Sequence, residues 1–304
     1  MKIAMIGLGR MGANMTERLI KDGHEVVAFD LSEEARQAVE AKGAQAVESV
    51  EDAVAALSQP RVVWVMLPAG DITWSTIDKV AGLMAKGDII IDGGNSNYKE
   101  FIEAAERTRS TGIELVDAGV SGGIWGLDNG YCLMVGGTAK AVKVAEPLFV
   151  TLAPTDGYAH VGPPGAGHFV KMVHNGIEYG LMQAYAEGFE IMAAADEFDL
   201  DLHEIAGIWR YGSVVRSWLL ELIERALADS KNFASIKGVV ADSGEGRWTV
   251  TEAVDRGVPA PVITASLFSR FATRDEDSLA SRLTAAMRQQ FGGHAVESEQ
   301  GDKG

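Results

Sequence analysis

Hydrophobic positions in the first half of the chain fall into short β-branched and aliphatic runs, separated by longer stretches in which apolar residues recur every three or four positions. The short runs predict strands at 3–6, 26–30, 62–67, 89–92, 113–117, 133–135 and 158–161, punctuated by turn signals such as Lys86-Gly87-Asp88 and Asp92-Gly93-Gly94. Such alternation is the signature of a parallel sheet covered by helices. It stops near Gly162-Pro163-Pro164-Gly165-Ala166-Gly167, where a stretch rich in Ala, Met, Glu and Leu begins. One long helix is expected over 167–195, then helices at 202–211, 217–228, 249–256, 260–272 and 277–290, with a polar tail after His294 that frays. The domain boundary is drawn at 163, giving an α/β domain over 1–163 and a mostly α-helical domain over 164–304.

Composition fits this division. With 304 residues and 47% hydrophobic content the chain can bury one large core or two ordinary ones, and its length favours two domains. No apolar run reaches the ~20 residues of a membrane span. Met1-Lys2-Ile3-Ala4 reads directly as strand, leaving no room for a signal region, so a cytoplasmic location is expected. The single cysteine, Cys132, has neither a disulfide partner nor metal-binding neighbours and is expected to be a buried small residue. A net charge of -16 argues against nucleic-acid or anionic-membrane partners, both of which require a basic face. Anionic ligands would need locally concentrated cations, and Lys171, His174, Arg270, Arg288 and His294 stand in motif-like settings.

Gly7-Leu8-Gly9-Arg10-Met11-Gly12 joins the first predicted strand to the first predicted helix. There the glycines permit a tight turn, close approach of a pyrophosphate and tight helix packing, while the helix N-terminus supplies positive potential. The α/β domain is therefore expected to be a Rossmann-type, doubly wound sheet that binds a dinucleotide. Asp30 ends the second predicted strand, where a carboxylate accepts hydrogen bonds from the adenosine ribose and repels a 2′-phosphate. Leu31 and Ser32 offer that phosphate no cation, which favours NAD, while Arg36 a helical turn on leaves NADP open.

The helix sequence Lys171-Met-Val-His-Asn-Gly-Ile-Glu-Tyr179 places Lys171, His174, Asn175, Glu178 and Tyr179 within a sector of roughly 140°. Such a stripe is either a solvated face or a site. Val170, Val173, Ile177 and Leu181 fall opposite it and are expected to pack into the second domain's core. Oxidation of a secondary alcohol needs a base for the hydroxyl proton, and an amine beside a positive nicotinamide and apolar surface has its pKa lowered toward neutrality. Lys171 suits that role. If the resulting keto acid loses carbon dioxide, the enediol needs a separate acid, and Glu178 lies two turns along the same face.

The glycine turn and Asp117-Ala118-Gly119-Val120-Ser121-Gly122-Gly123 resemble the β-hydroxyacid dehydrogenases, and the 171–179 helix resembles decarboxylating 6-phosphogluconate dehydrogenase in particular. The resemblance covers essentially the whole chain, in a form that lacks the long second half of the larger enzymes' helical domain. It implies Lys171 as general base and Glu178 as general acid, with no metal. It also implies that Asn95, Ser121, Gly122, Gly123, His174 and Asn175 hold a sugar acid's carboxylate and hydroxyls. By the same likeness Met66-Leu67-Pro68-Ala69, with Asn95, lines the cofactor, and Tyr179 and Arg270 contact a phosphate. Arg288-Gln-Gln-Phe-Gly-Gly-His294 resembles a C-terminal motif whose Arg and His reach a neighbouring subunit's site, implying a homodimer. One departure concerns the phosphate: the larger members carry Lys-Gly-Thr-Gly-x-Trp where this chain has Ser243-Gly-Glu245-Gly-Arg247-Trp248. A carboxylate there leaves open whether Arg247 swings in, Glu245 points away, or the substrate differs. Arg270 and Arg288 remain as candidate phosphate donors, since guanidinium forks suit that geometry. The competing readings are a β-hydroxyacid dehydrogenase without decarboxylation, which has no need of the paired acid, and a non-catalytic NAD(H) sensor, which has no need of the ionised pair.

Overall fold

The computed structural model describes residues 1–275 and 278–292. It contains an eight-stranded sheet of β1 (Lys2–Ile6), β2 (Glu25–Phe29), β3 (Gln45–Ala46), β4 (Val62–Val65), β5 (Ile89–Asp92), β6 (Glu114–Ser121), β7 (Cys132–Gly136) and β8 (Tyr158–Gly162). Their order is β3-β2-β1-β4-β5-β6-β7-β8. The chain runs outward from β1 to one edge, returns past β1 to β4, and continues to the other edge. The carboxyl end of β1 therefore lies at the switch point, where open α/β sheets bind ligands.

Helices α1 (Arg10–Lys21), α2 (Glu33–Glu40), α3 (Val50–Ala55), α4 (Asp71–Ala81), α5 (Tyr98–Arg109), α6 (Gly126–Asn129) and α7 (Ala139–Leu152) connect the strands. One sheet face buries Met5, Trp64, Ile91 and Val116 beneath Met15, Leu19, Leu148 and Phe149. The other buries Ile6, Val63, Ile90 and Leu115 beneath Val54, Ile77, Val80 and Phe101. Strands covered on both faces lose the polar alternation of half-exposed ones, which is why β4 and β5 are legible as unbroken apolar runs.

Two features of the sheet differ from expectation. β7 runs antiparallel to β6, pairing Ser121 with Cys132; a short hairpin-like connection through α6 replaces the longer crossover a parallel pair requires. Cys132 is exposed, not buried, because it opens β7 at the end of that ladder, where its side chain leaves the core.

The chain divides into compact units at Met1–Asn175 and Gly176–Gly304, and α8 (Ala166–Ala193) runs through the division. The second unit adds α9 (Leu202–Trp209), α10 (Trp218–Ala228), α11 (Ser230–Ser235), α12 (Glu245–Asp255), α13 (Pro261–Ala272) and α14 (Leu279–Gly292). Ser217 caps α10 by accepting the Leu220 N–H, as its position before an apolar helical run predicts. Phe189, Ala206 and Leu220 form a small core, with Trp209 edge-on to Phe189 at 5.8 Å. α12 packs on α8 where the latter lacks side chains: a Cβ on Gly176 would lie 2.7 Å from Thr249 Cγ2.

The expectation for the apolar stripe of α8 fails. Ile177 is 52% exposed and Leu181 46%, and Val170 is exposed as well, whereas Lys171 and Tyr179 on the polar stripe are buried. Lys171 and Tyr179 are buried because glycines of neighbouring elements let them approach: a Cβ on Gly119 would lie 2.5 Å from Lys171 Cβ, and one on Gly246 would lie 2.5 Å from Tyr179 Cε2. Apolar content alone pointed to the wrong face. No helix among the described residues is long and apolar enough to cross a membrane.

Candidate active site

The glycine turn is built as its sequence requires. Gly7 has φ +94°, and a Cβ there would lie 2.3 Å from Met66 O. A Cβ on Gly12 would lie 2.0 Å from Gly7 O, so α1 can pack this closely only without one. Gly9, at the N-cap of α1, faces open space, and Arg10 and Met11 form the helix's first turn. Open space over a helix N-terminus is what a pyrophosphate needs, so these residues fit a dinucleotide. Asp30 Oδ2 accepts the Leu8 N–H at 2.7 Å and Oδ1 accepts the Ser32 N–H at 2.8 Å, which fixes the carboxylate beside the glycine turn. Arg36 donates to the Asp30 and Leu31 carbonyl oxygens, at 2.7 and 3.2 Å.

Leu67, Pro68 and Ala69 follow β4, and Asn95 is exposed in the turn after β5. The two turns touch: a Cβ on Gly94 would lie 2.7 Å from Leu67 O. The expected cofactor residues thus line up along the carboxyl ends of β1, β2, β4 and β5.

Further along the same edge, Ser121, at the end of β6, is followed by Gly122 and Gly123, both at positive φ. Ser121 Oγ lies 3.4 Å from His174 Nε2, His174 Nδ1 lies 3.0 Å from Asn175 Oδ1, and Lys171 Nζ donates to the same oxygen at 2.6 Å. With Nδ1 donating to Asn175, Nε2 is left to accept from the serine hydroxyl. The Lys171 side chain is brought in by close backbone approach: a Cβ on Gly119 would lie 2.5 Å from Lys171 Cβ and 2.8 Å from Gly167 O. Lys171 is 7% exposed.

Sequence reasoning missed what lies beneath Lys171. Asp117, on β6, accepts the N–H groups of Gly165 and His168, both at 2.8 Å, and so caps α8 from a neighbouring strand. His168 Nε2 lies 3.1 Å from Asp92 Oδ2, while Asp92 Oδ1 accepts the Gly94 N–H at 2.9 Å. All three side chains are buried. Burial works against the Asp92 charge, but His168, Ser96 and the Gly94 N–H outweigh it and hold the carboxyl below its ordinary pKa. Burial raises the Asp117 pKa, only partly offset by His168 and the amide donors. Burial also disfavours the imidazolium of His168, yet Asp92 and Asp117 prevail and raise its pKa. The one available signal was His168 standing three residues before Lys171, on the same side of the helix.

In the second unit Tyr179 and Arg270 do come together, the guanidinium carbon 3.4 Å from the ring centroid. The Tyr179 hydroxyl accepts the Ser243 N–H at 3.3 Å, and Arg270 donates to Ala241 O at 2.9 Å. Glu245 is 2% exposed and accepts from Ser243 Oγ at 2.5 Å. Arg247 is turned to Asp242 at 2.5 Å, an anchor that Arg274 shares. Between them they hold the Asp242 carboxyl down at a pKa of about 2. Glu178 is half-buried on α8, Arg288 is exposed on α14, and His294 lies outside the described residues.

A switch-point glycine turn, a strand-end carboxylate and a buried lysine define a dinucleotide-binding oxidoreductase, and comparison with known proteins gives its family. The family model for the NAD binding domain of 6-phosphogluconate dehydrogenase matches residues 2–162, and that for the 6-phosphogluconate dehydrogenase C-terminal domain matches residues 184–303. A Haloferax volcanii protein named as NAD(+)-dependent, decarboxylating 6-phosphogluconate dehydrogenase is 44% identical over 298 residues, covering 97% of this chain and 98% of its own. The NADP(+)-dependent, decarboxylating enzyme of Bacillus subtilis is 36% identical over 299 residues, covering 93% of this chain but 64% of its own. Among solved structures, Plasmodium falciparum 6-phosphogluconate dehydrogenase has a TM-score of 0.83 at 28% identity, over 99% of this chain and 67% of that one. The chain belongs to the 6-phosphogluconate dehydrogenase family and is an oxidoreductase with an NAD(P)-binding domain.

Proposed function

We propose that this chain oxidises and decarboxylates 6-phosphogluconate to ribulose 5-phosphate, using NAD in preference to NADP. The observation that carries the reading is the buried Lys171 amine, hydrogen-bonded to Asn175 in a network that reaches His174 and Ser121. A nicotinamide held by these residues would supply the acceptor for the hydride of C3. Lys171 removes the C3 hydroxyl proton as that bond breaks. Asn175 orients the amine, while Ser121, His174 and Asn95, with the Gly122 and Gly123 backbone, hold the acid's carboxylate and hydroxyls. The C1–C2 bond of the resulting 3-keto acid then breaks to release carbon dioxide. Glu178, about 10 Å further along α8, protonates the enediol carbon left behind.

Gly7, Leu8, Gly9, Arg10, Met11 and Gly12 would hold the pyrophosphate, Asp30 the adenosine ribose, and Leu67, Pro68, Ala69 and Asn95 the rest of the cofactor. Asp30 favours NAD because its carboxylate repels a 2′-phosphate. Tyr179, Arg270 and Arg288 would take the substrate's phosphate. Residues 1–163 would form the cofactor domain and 164–304 the substrate and dimerisation domain of a cytoplasmic homodimer, with Arg288 and His294 reaching the neighbouring subunit's site.

Glu245 bears on the substrate and keeps a second reading open, a non-decarboxylating β-hydroxyacid dehydrogenase acting on another sugar acid. A carboxylate joined to Ser243 beside Tyr179 is unfavourable for a dianion. Steady-state reduction of NAD and NADP with 6-phosphogluconate, with gluconate in parallel and carbon dioxide trapped, separates the two. NADH and carbon dioxide formed one for one from the phosphorylated acid support the first. Preference for gluconate, or NADH without carbon dioxide, supports the second. Within the first, Lys171→Ala abolishes hydride transfer, and Glu178→Gln slows protonation more than hydride transfer. Equal losses from both in a reaction started at the 3-keto acid would contradict those roles.

A further inference from the structure

We propose that His168 is a positioning residue for this reaction: by holding Asp92 it ties the first turn of α8, and with it Lys171, to the Gly93-Gly94-Asn95 turn. The proposal rests on the oxidoreductase reading of the site given above. Its basis is a set of contacts that all lie within the first unit.

Asp92 ends β5 and uses its two oxygens in opposite directions. Oδ1 takes the Gly94 N–H at 2.9 Å and shapes the turn that exposes Asn95, while Oδ2 faces His168 Nε2 at 3.1 Å. His168 stands three residues before Lys171, and its ring is fixed edge-on against the buried Phe101 at 5.2 Å. Its other nitrogen, Nδ1, is buried and has no hydrogen-bond partner among the described residues. A histidine kept merely to fill space would serve as well as phenylalanine, and a histidine kept for its full hydrogen-bonding capacity would have both nitrogens satisfied. This ring makes one directed hydrogen bond, and that bond joins the strand end carrying Asn95 to the helix turn carrying Lys171.

The backbone around the bond is equally constrained. Asp117 caps the same helix turn through the Gly165 and His168 N–H groups. A Cβ on Gly136 would lie 2.7 Å from Gly167 N, and one on Gly119 would lie 2.5 Å from Lys171 Cβ. Asp117 therefore sets the start of α8 against β6 and β7, and His168 sets it against β5. Without the imidazole, Asp92 is a buried carboxylate lacking its main partner. It is then free to protonate or turn, and either change releases the Gly94 N–H and the register between Asn95 and Lys171.

The test compares H168F and H168N with H168Q. Phenylalanine fills the space without a donor, the asparagine amide is too short to reach Asp92, and the glutamine amide presents a donor near the position of Nε2. With NAD and 6-phosphogluconate, H168F and H168N lower kcat about 10²-fold, raise KM and the NADH dissociation constant by less than about tenfold through the Asn95 turn, and are rescued by H168Q to within about tenfold of wild-type kcat. In amide NMR spectra of the cofactor-free proteins, Gly94 and Asn95 shift in both loss variants and return in H168Q. Wild-type kcat in H168F or H168N would overturn the proposal. So would a kcat loss in H168Q equal to theirs, or an equal collapse of kcat, KM and NADH binding, which marks a structural role. If the wild type does not turn over 6-phosphogluconate, the functional reading fails while the spectra still decide the linkage: unmoved Gly94 and Asn95 amides in the loss variants would overturn it.

Discussion

The guanidinium of Arg270 lies over the ring of Tyr179, its central carbon 3.4 Å from the centroid. Both groups are otherwise held, Arg270 by the Ala241 carbonyl and Tyr179 by the Ser243 N–H. Stacking leaves the guanidinium edge as the part that presents N–H donors, a geometry suited to the oxygens of a phosphate. Because the two side chains hold one another, the phosphate contact proposed for them would cost little side-chain freedom.

Arg270→Lys keeps the charge but loses the fork and the stack. Its KM for 6-phosphogluconate is expected to rise about 10–100-fold, the worth of a charged hydrogen bond, with kcat within a few-fold of wild type. Gluconate, having no phosphate, should show no such rise. Steady-state kinetics on the two acids check this, and an equal rise for both would remove Arg270 from the phosphate site.

Gly119→Ala and Gly9→Ala form a contrasting pair. A methyl group on Gly119 meets Lys171 Cβ at 2.5 Å and Gly167 O at 2.8 Å, both too close to persist, so α8 must move. Overpacking of this kind costs about 1–3 kcal/mol, and displacing Lys171 by about 1 Å lowers kcat on the order of 10²-fold. A methyl group on Gly9 meets nothing in the protein. Stability should stay within about 0.5 kcal/mol while NADH binding weakens by tenfold or more, because the methyl takes up space a pyrophosphate needs. Thermal melts and NADH fluorescence titration check both, and a destabilised Gly9→Ala would mean that the turn itself requires that glycine.

This pair also shows how far the site is legible in the sequence. Gly9 and Gly12 are readable because their spacing sits between a β-branched run and a helical pattern, and local context is enough to give the turn its meaning. Gly119, Gly136 and Gly167 are distant in sequence and acquire their role only when β6, β7 and α8 meet. The same limit hid the link from Asp92 to His168, which spans 76 residues of sequence. It also misled on α8: Ile177 and Leu181 read as core by periodicity yet are exposed, while Lys171 and Tyr179 of the ionisable stripe are buried. The β5 strand, by contrast, is covered on both faces, and its pattern gave its place directly.

Asp30 serves two hydrogen bonds within the protein besides its proposed contact with the ribose. Because it accepts the Leu8 N–H at 2.7 Å, Asp30→Ala loosens the glycine turn as well as removing the ribose acceptor. NAD affinity is expected to fall about 10–100-fold, the equivalent of one charged hydrogen bond, while NADP affinity falls less because a repulsive charge leaves with the acceptor. Titration of both cofactors against wild type and variant checks this. Equal losses for the two would leave Asp30 a structural anchor without a part in cofactor choice.

Asp242 supplies a pH test confined to the second unit. Its hydrogen bonds to Arg247 and Arg274 lower its pKa from 3.8 to about 2 in the folded chain. A depressed carboxylate pKa stabilises the fold above the unfolded-state value, and that contribution is lost as pH falls through the folded-state value. Wild type should therefore melt above Asp242→Asn by a constant margin from neutral pH down to about 5, and the margin should close between about pH 4 and pH 2. Both arginines are partly exposed, so salt at about 1 M should narrow the margin at neutral pH too. Thermal melts across that range, at low and high salt, decide the matter. A margin that survives to pH 2 would assign the loss to packing around residue 242 and not to its charge.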